Sequence, residues 1–200
     1  AGSSTGRVDL TGATNVIGAL GGFTAPGGFA LNDGATALRI TGPLNAGTGE
    51  VNLAAGSLQQ APAGVITAGT LRGSIAGATD LGGAVNAVGA LGAFASGGDF
   101  TFNNGLTPLT LTGPLNAGVN TVSLTAGSLG QTVDGAVTAG RAICHASATW
   151  PGVASCLRAA TSNASRIRRP RAFRYFLVVL SPRLLLAASA LLRYLPVRKP

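Results

Sequence analysis

Histidine and lysine are absent before Arg141, and acidic residues are absent after it. The first absence removes the imidazole and amine groups on which most general-base, nucleophile-activating and metal-binding sites depend. Aromatic residues are scarce at 5% and charged ones at 10%, so a thick core built on large side chains is disfavoured. What the chain holds instead is 46% hydrophobic residues and 31 glycines. Such a chain buries Ala, Val, Leu and Ile in thin layers, with a small residue or a turn every few positions, and large helical cores are not expected.

The net charge of +8 and pI near 11.3 suggest an anionic partner such as nucleic acid or a membrane, but the distribution of charge removes that suggestion for most of the chain. Asp9, Asp33, Glu50, Asp80, Asp99 and Asp134 all precede position 141, together with only Arg7, Arg39 and Arg72. The segment from Ala1 to Gly140 is therefore mildly acidic, and no nucleic-acid partner is expected. The remaining eleven basic residues, both cysteines, the one His, the one Trp and both tyrosines follow Gly140. Two chemically different sequences share one chain.

The first of them is a duplication. Thr41-Gly-Pro-Leu-Asn-Ala-Gly47 recurs as Thr112-Gly-Pro-Leu-Asn-Ala-Gly118, a 71-residue shift. The same shift carries Gly18-Ala-Leu-Gly21 onto Gly89-Ala-Leu-Gly92, Phe23 onto Phe94, Phe29 onto Phe100 and Ala55-Gly-Ser-Leu58 onto Ala126-Gly-Ser-Leu129. Residues 6–69 align with 77–140 without a gap. Strand-like starts at Ile40, Ile66, Val88 and Leu111 follow one another at intervals of 26, 22 and 23, which divides the 71-residue unit into about three rungs. A second set of short alternating runs begins at Val51, Thr79, Phe100 and Val122.

Alternation in Val51-Asn-Leu53 and Phe100-Thr-Phe102 puts one face inward and the other outward, and the Gly-rich corners permit tight turns between strands. One rung cannot bury its own apolar face, whereas stacked rungs bury it and pair the backbone. The expected fold is all-β: a right-handed parallel β-helix over residues 1–140, its six rungs spanning roughly 29 Å at about 4.8 Å per rung. A β-propeller or sandwich is the competing architecture, but propeller units run to about 40–50 residues with Trp-Asp signatures, and neither feature is present.

Gly42-Pro-Leu-Asn-Ala-Gly47, Val51-Asn-Leu-Ala-Ala-Gly56, Val65-Ile-Thr-Ala-Gly-Thr-Leu71 and Val88-Gly-Ala-Leu-Gly-Ala-Phe94 resemble the glycine-rich β-strand repeats of filamentous-haemagglutinin-like exoproteins and autotransporter passenger domains. The resemblance spans about residues 6 to 140 and is one of repeat texture. It implies a right-handed β-helix displayed at a bacterial cell surface, an outer-membrane secretion partner for the full-length protein, and adhesion to a host or neighbouring-cell protein or glycan. Without a starting Met, a signal peptide, a secretion domain or polar caps, the chain reads as a piece of something longer.

No catalytic, cofactor-binding or metal-binding residues are expected. Carboxylate catalysis needs two acids about 5–10 Å apart. Asp9 and Asp80 share one repeat phase but lie three rungs apart, and Asp33, Glu50, Asp99 and Asp134 map onto Asn104, Thr121, Gly28 and Ala63. All six read as turn or solvated residues. Gly97-Gly-Asp99 lacks the rest of a calcium nonapeptide, and the glycine runs lack a phosphate-loop Gly-Lys-Ser/Thr ending. Asn15/Asn86, Asn32/Asn103 and Asn45/Asn116 recur in phase beside glycines, which predicts side chains that bond their own turns, with an asparagine ladder as the sharper alternative.

Residues 141–200 form the second region, a basic Arg/Ala/Leu-rich tail expected to be poorly ordered or helical. Its onset at a single residue, with no linker, is what a shift of reading frame in GC-rich DNA produces, and a back-translated alternative frame around Ala148–Gly152 permits repeat-like residues. Two functional readings compete with that. Tyr175-Phe-Leu-Val-Val-Leu180 and Leu184–Leu192 suit an apolar membrane anchor, though Pro182 and Arg183 interrupt it. Arg166-Ile-Arg-Arg-Pro-Arg171 suits a phosphate or other anionic surface. Cys144 and Cys156 match no zinc spacing and read as unpaired thiols. The expectation for the whole is a non-enzymatic structural or adhesive segment of a secreted surface exoprotein. The alternatives are a fragment of a carbohydrate-active β-helix enzyme with its site elsewhere, and a membrane-anchored protein using the tail.

Overall fold

Strands form wherever apolar residues alternate with polar or small ones. In a computed structural model, which describes residues 1–146, the strand Glu50–Ala55 buries Val51, Leu53 and Ala55 and turns Glu50, Asn52 and Ala54 outward. Its duplicate Thr121–Ala126 buries Val122, Leu124 and Ala126 in the same way. The corners between strands have their own sequence signal. Asn45 Oδ1 accepts the Gly47 N–H at 2.9 Å, and Gly47 turns the chain with φ of 56°; Asn116 and Gly118 repeat the corner at 2.9 Å and 58°. Glycine holds that left-handed backbone without a Cβ penalty, and the Asn side chain replaces a lost ladder bond.

The strands pair in parallel, each on the equivalent strand of the next turn. The ladder Val8–Phe29–Val51–Leu71–Leu91–Leu111–Gln131 crosses seven rungs, and the described residues form a β-solenoid of about 7 turns. Pairing is divided between a 12-stranded and a 7-stranded sheet. A typical turn holds three strand segments. Leu44–Asn45 and Glu50–Ala55 belong to the larger sheet, Ser57–Gln60 belongs to the smaller, and Ile66 then lands on Leu44. No propeller blade or antiparallel sandwich pairing occurs among the described residues.

The ladders sharpen the relation between the rung and the duplication. One turn runs from Leu71 to Leu91, from Phe23 to Leu44 or from Leu44 to Ile66, so the numbering advances by 20, 21 or 22 per turn. Three ladder steps from Phe29 therefore reach Leu91, yet the duplicate of Phe29 is Phe100, well beyond it. The 71-residue unit is about three rungs plus one strand segment. Each duplicated strand consequently moves one place around the solenoid. Glu50–Ala55 is in the larger sheet and Thr121–Ala126 in the smaller; Ala37–Ile40 is in the smaller and Leu109–Leu111 in the larger. Ile40 thus pairs with Leu20 and Gln60, while Ile66 pairs with Leu44. The longer interval between those two starts is a step from one sheet to the other.

The interior is a continuous column of apolar side chains. Phe94 and Phe100 meet edge-on with centroids 5.0 Å apart, and Phe100 stacks on Phe102 at 6.5 Å. Fully burying each such ring contributes about 1.5–3 kcal/mol. The solenoid also continues past the last residue of recognisable repeat. Arg141–Ala146 pairs with Thr121–Ala126 along its whole length, placing Ala142, Cys144 and Ala146 against Val122, Leu124 and Ala126. Alternation with small inward residues is sufficient to add that strand, and repeat identity is not needed. Cys144 packs against the core and is disulfide-bonded, which corrects its reading as an unpaired thiol; the other cysteine of the chain, Cys156, lies outside the described residues. The expectations for the rest of the tail, its apolar and basic runs included, also fall there.

Candidate functional site

Each acidic side chain is explained first by its local geometry. Asp9 accepts the Thr11 hydroxyl at 2.6 Å and the Thr11 N–H at 3.1 Å, and pairs with Arg7 at 3.3 Å. The Thr11 hydroxyl, then its N–H, hold the Asp9 carboxyl below the usual aspartate range, with Arg7 adding to them. Asp80, its duplicate, accepts the Gly82 N–H at 3.0 Å, the same two-residue turn. The two stand on different sheets, Asp9 opposite Ala30 and Asp80 opposite Gln59 and Thr101. Glu50 pairs with Arg72 at 2.7 Å. Asp99 accepts the Thr121 N–H of the next rung at 2.7 Å, so the Gly97-Gly-Asp99 carboxylate closes a corner. Asp134 is exposed and Asp33 is buried. Among the described residues, no three His, Cys, Asp or Glu side chains gather where they could hold a metal ion.

The asparagines divide by position. Asn32, Asn45, Asn103 and Asn116 each accept the N–H two residues on, at 2.9–3.1 Å, as their turn chemistry predicts. Asn15 and Asn86 instead reach the neighbouring rung, their Nδ2 donating to Asn32 O at 3.0 Å and Asn103 O at 2.9 Å. Around Asn86 this grows into a buried network. Asn86 Oδ1 accepts from Gln60 Nε2 at 2.6 Å and from the Ile66 N–H at 2.9 Å, while Gln60 Nε2 also donates to Gly64 O at 2.8 Å. Gln60 was not evident from motif reasoning, yet a signal for it exists. It recurs in phase as Gln131, which donates to Gly135 O at 2.7 Å.

What remains for recognition is the outer surface of the strands. Ser3, Thr24, Asn45 and Thr67 align in one outward row, and Arg39, Gln59, Asp80, Thr101 and Ser123 align in another. Neighbours within a row are about 4.8 Å apart because the strands are. These rows are short, polar and sparsely charged, held in position by the column of apolar residues beneath them. They offer hydroxyls and amides in register, with Arg39 and Asp80 as their charged members.

No family model, curated protein or solved structure matches the chain. The class is defined by the fold itself: the described residues are those of a β-helix repeat protein.

Proposed function

We propose that the solenoid is a non-enzymatic structural or adhesive segment of a secreted bacterial surface protein. The observation that carries this reading is the outward register. Polar rows such as Arg39–Gln59–Asp80–Thr101–Ser123 stand on strands locked by parallel ladders and an apolar column, so their spacing is fixed before any partner arrives. Preorganisation of this kind lowers the entropic cost of binding a regular surface. The partner would be a glycan or protein of a host or neighbouring cell, and export would require an outer-membrane secretion partner. The resemblance of residues 6–140 to filamentous-haemagglutinin-like and autotransporter-passenger repeats supports the same location.

The test is binding of the full chain to immobilised neutral glycans and extracellular-matrix proteins, compared with a Thr101→Lys/Ser123→Lys variant. Saturable binding that the two lysines weaken at least tenfold is expected. Binding to none of these surfaces would contradict the adhesive reading, and release of sugar products from a polysaccharide would replace it with the enzymatic one.

A further inference from the structure

The Gln60–Asn86 network sits at a joint between the two copies of the repeat. Residues 57–71 close the first copy, and residues 79–91, which open the second, lie against them. Leu58 and Gln59 pair with Thr79 and Asp80, and Ala68 and Leu71 with Val88 and Leu91. Across the joint, Asn86 Oδ1 accepts from Gln60 Nε2 at 2.6 Å and from the Ile66 N–H at 2.9 Å, and Gln60 Oε1 accepts the Ala84 N–H at 3.2 Å. The backbones come so close that a Cβ on Gly83 would stand 2.1 Å from Gln60 O.

Each half of this joint recurs at one end of the described solenoid. The 71-residue shift carries the covering rung 57–71 onto 128–142 and the covered segment 79–91 back onto 8–20. The halves keep their own bonds. Gln131 Nε2 donates to Gly135 O at 2.7 Å, as Gln60 Nε2 does to Gly64 O at 2.8 Å. Asn15 Nδ2 donates to Leu10 O and Asn32 O, as Asn86 Nδ2 does to Leu81 O and Asn103 O. Among the described residues, the bonds that Asn86 Oδ1 and Gln60 Oε1 make across the joint have no counterpart at Asn15 and Gln131. Burial differs in the same way. Leu81 is 0% exposed and its duplicate Leu10 40%; Gln60 is buried and Gln131 exposed, Leu58 buried and Leu129 half-buried, Val88 buried and Ile17 half-buried. A Cβ on Gly12, the duplicate of Gly83, would meet nothing within 4 Å, so a glycine stands where its own chain has room for a side chain.

We infer that copies of this chain join head to tail, rung 128–142 of one covering residues 8–20 of the next, with Gln131 and Asn15 pairing as Gln60 and Asn86 do. The contact is heterologous, each copy using a different end, so a third copy adds in the same way and stacking along the axis gives an open filament. The receiving copy makes two adjustments. Residues 17–19 hold a tight turn, with Gly18 at φ of 61° and the Ala19 N–H on Ile17 O, where Gly89 lies within the strand Ala87–Ser96; on joining they straighten against the arriving Ala139. Ala1–Ser4 also occupy the place of the arriving Ile143–Ala146, both being duplicates of Arg72–Ile75. The pairs Gly2–Phe23 and Ser3–Thr24 therefore give way, and the half-buried Phe23 ring turns aside for Cys144, which arrives where Gly73 meets Phe94. Those two pairs are set against the six ladder pairs that residues 57–71 make on 79–91 at the internal joint.

Sedimentation of the full chain over a concentration series tests the association, and crosslinking between chains whose Cys144 and Cys156 are replaced by Ala tests its geometry. Gly130→Cys and Asp9→Cys, carried on separate chains, take the places of the ladder partners Gln59 and Asp80, about 4.8 Å apart and within the Cα range of a disulfide, about 4.4–6.8 Å. Mixed and oxidised, they are expected to crosslink, whereas Asp9→Cys with Thr110→Cys, midway along the solenoid, is expected to stay reduced. Gly12→Ala separates joining from folding. It meets open space in its own chain and is expected not to destabilise the dilute chain, while across the joint its Cβ overlaps Gln131 O and association falls by about tenfold or more. A chain that stays monomeric at every concentration, crosslinking of Asp9→Cys chains to one another in place of Gly130→Cys, or association that Gly12→Ala leaves unchanged would each overturn the inference.

Discussion

Gly73 lies over the ring of Phe94 in the next rung: a Cβ on Gly73 would stand 2.6 Å from Phe94 Cε2, and the two residues are ladder partners. The missing side chain in one rung is what admits an aromatic ring in the next. Gly2 and Phe23 make the same pair one duplication earlier, where a Cβ would stand 2.5 Å from the ring. Gly73→Ala is therefore expected to cost about 1–3 kcal/mol as an overpacking change, measured by urea unfolding. The cost should be strongly non-additive with Phe94→Leu. Gly2→Ala should cost less, because Phe23 is only half-buried and its ring has room to shift.

The aromatic stack makes a second prediction. Phe100 is fully buried between Phe94 and Phe102, so Phe100→Ala leaves a cavity in the column and should destabilise by about 3–5 kcal/mol. Phe29→Ala, at the duplicated position, removes a ring whose aromatic neighbour is Phe23 at 5.4 Å. It should fall toward the lower end of that range.

Corner amides should rank by burial. Asn86→Ala leaves the Ile66 N–H and the Leu81 and Asn103 carbonyls without their side-chain partner and takes one partner from Gln60, which keeps its bond to Gly64 O. At about 1–3 kcal/mol per unsatisfied buried group, the loss should be several times that of Asn15→Ala, whose side chain bonds Leu10 O and Ala13 O at an exposed corner and Asn32 O at a part-buried one. Equal losses in thermal unfolding would show that the Gln60–Asn86 network adds nothing.

The Arg72–Glu50 pair, by contrast, is close to half exposed on both sides. Arg72→Gln should change stability by no more than about 0.2–1 kcal/mol, and the difference should shrink with added salt. A larger, salt-insensitive loss would locate the contribution of Arg72 in its stem, which lies across Gly92.

Much of this architecture is legible in the residues. Alternation at Val51-Asn-Leu53 and the Asn-x-Gly corners at Asn45 and Asn116 specify short strands and their stops. The 71-residue duplication specifies stacking. The extra segment per repeat is not legible, because conserved spacing within a copy says nothing about which strand of another turn it meets. That is decided by how many residues one circuit consumes, and corners such as Ala46–Gly49 set the number. The buried amide network and the burial of Asp33 and Asn104 were hidden for a related reason. Gln60 and Asn86 are 26 residues apart, and the exchange of Asp33 for Asn104 looks like a neutral surface difference until both are found inside. The candidate surface rows were equally invisible, since a row is a property of register.

The claim on which all else depends is the length of a turn, set by ladder partners such as Leu71 and Leu91 or Leu44 and Ile66, which makes the duplication overshoot three turns. Disulfide trapping measures it directly, in a chain whose Cys144 and Cys156 are replaced by Ala. Asn52 and Arg72 are ladder partners, about 4.8 Å apart as neighbouring strands are and within the Cα range of a disulfide, about 4.4–6.8 Å. Thr48 would take the place of Asn52 if the duplication were three whole turns. The Asn52→Cys/Arg72→Cys pair is expected to crosslink readily on oxidation and Thr48→Cys/Arg72→Cys to remain reduced; crosslinking of the Thr48 pair in place of the Asn52 pair would contradict the register and the one-segment advance built on it.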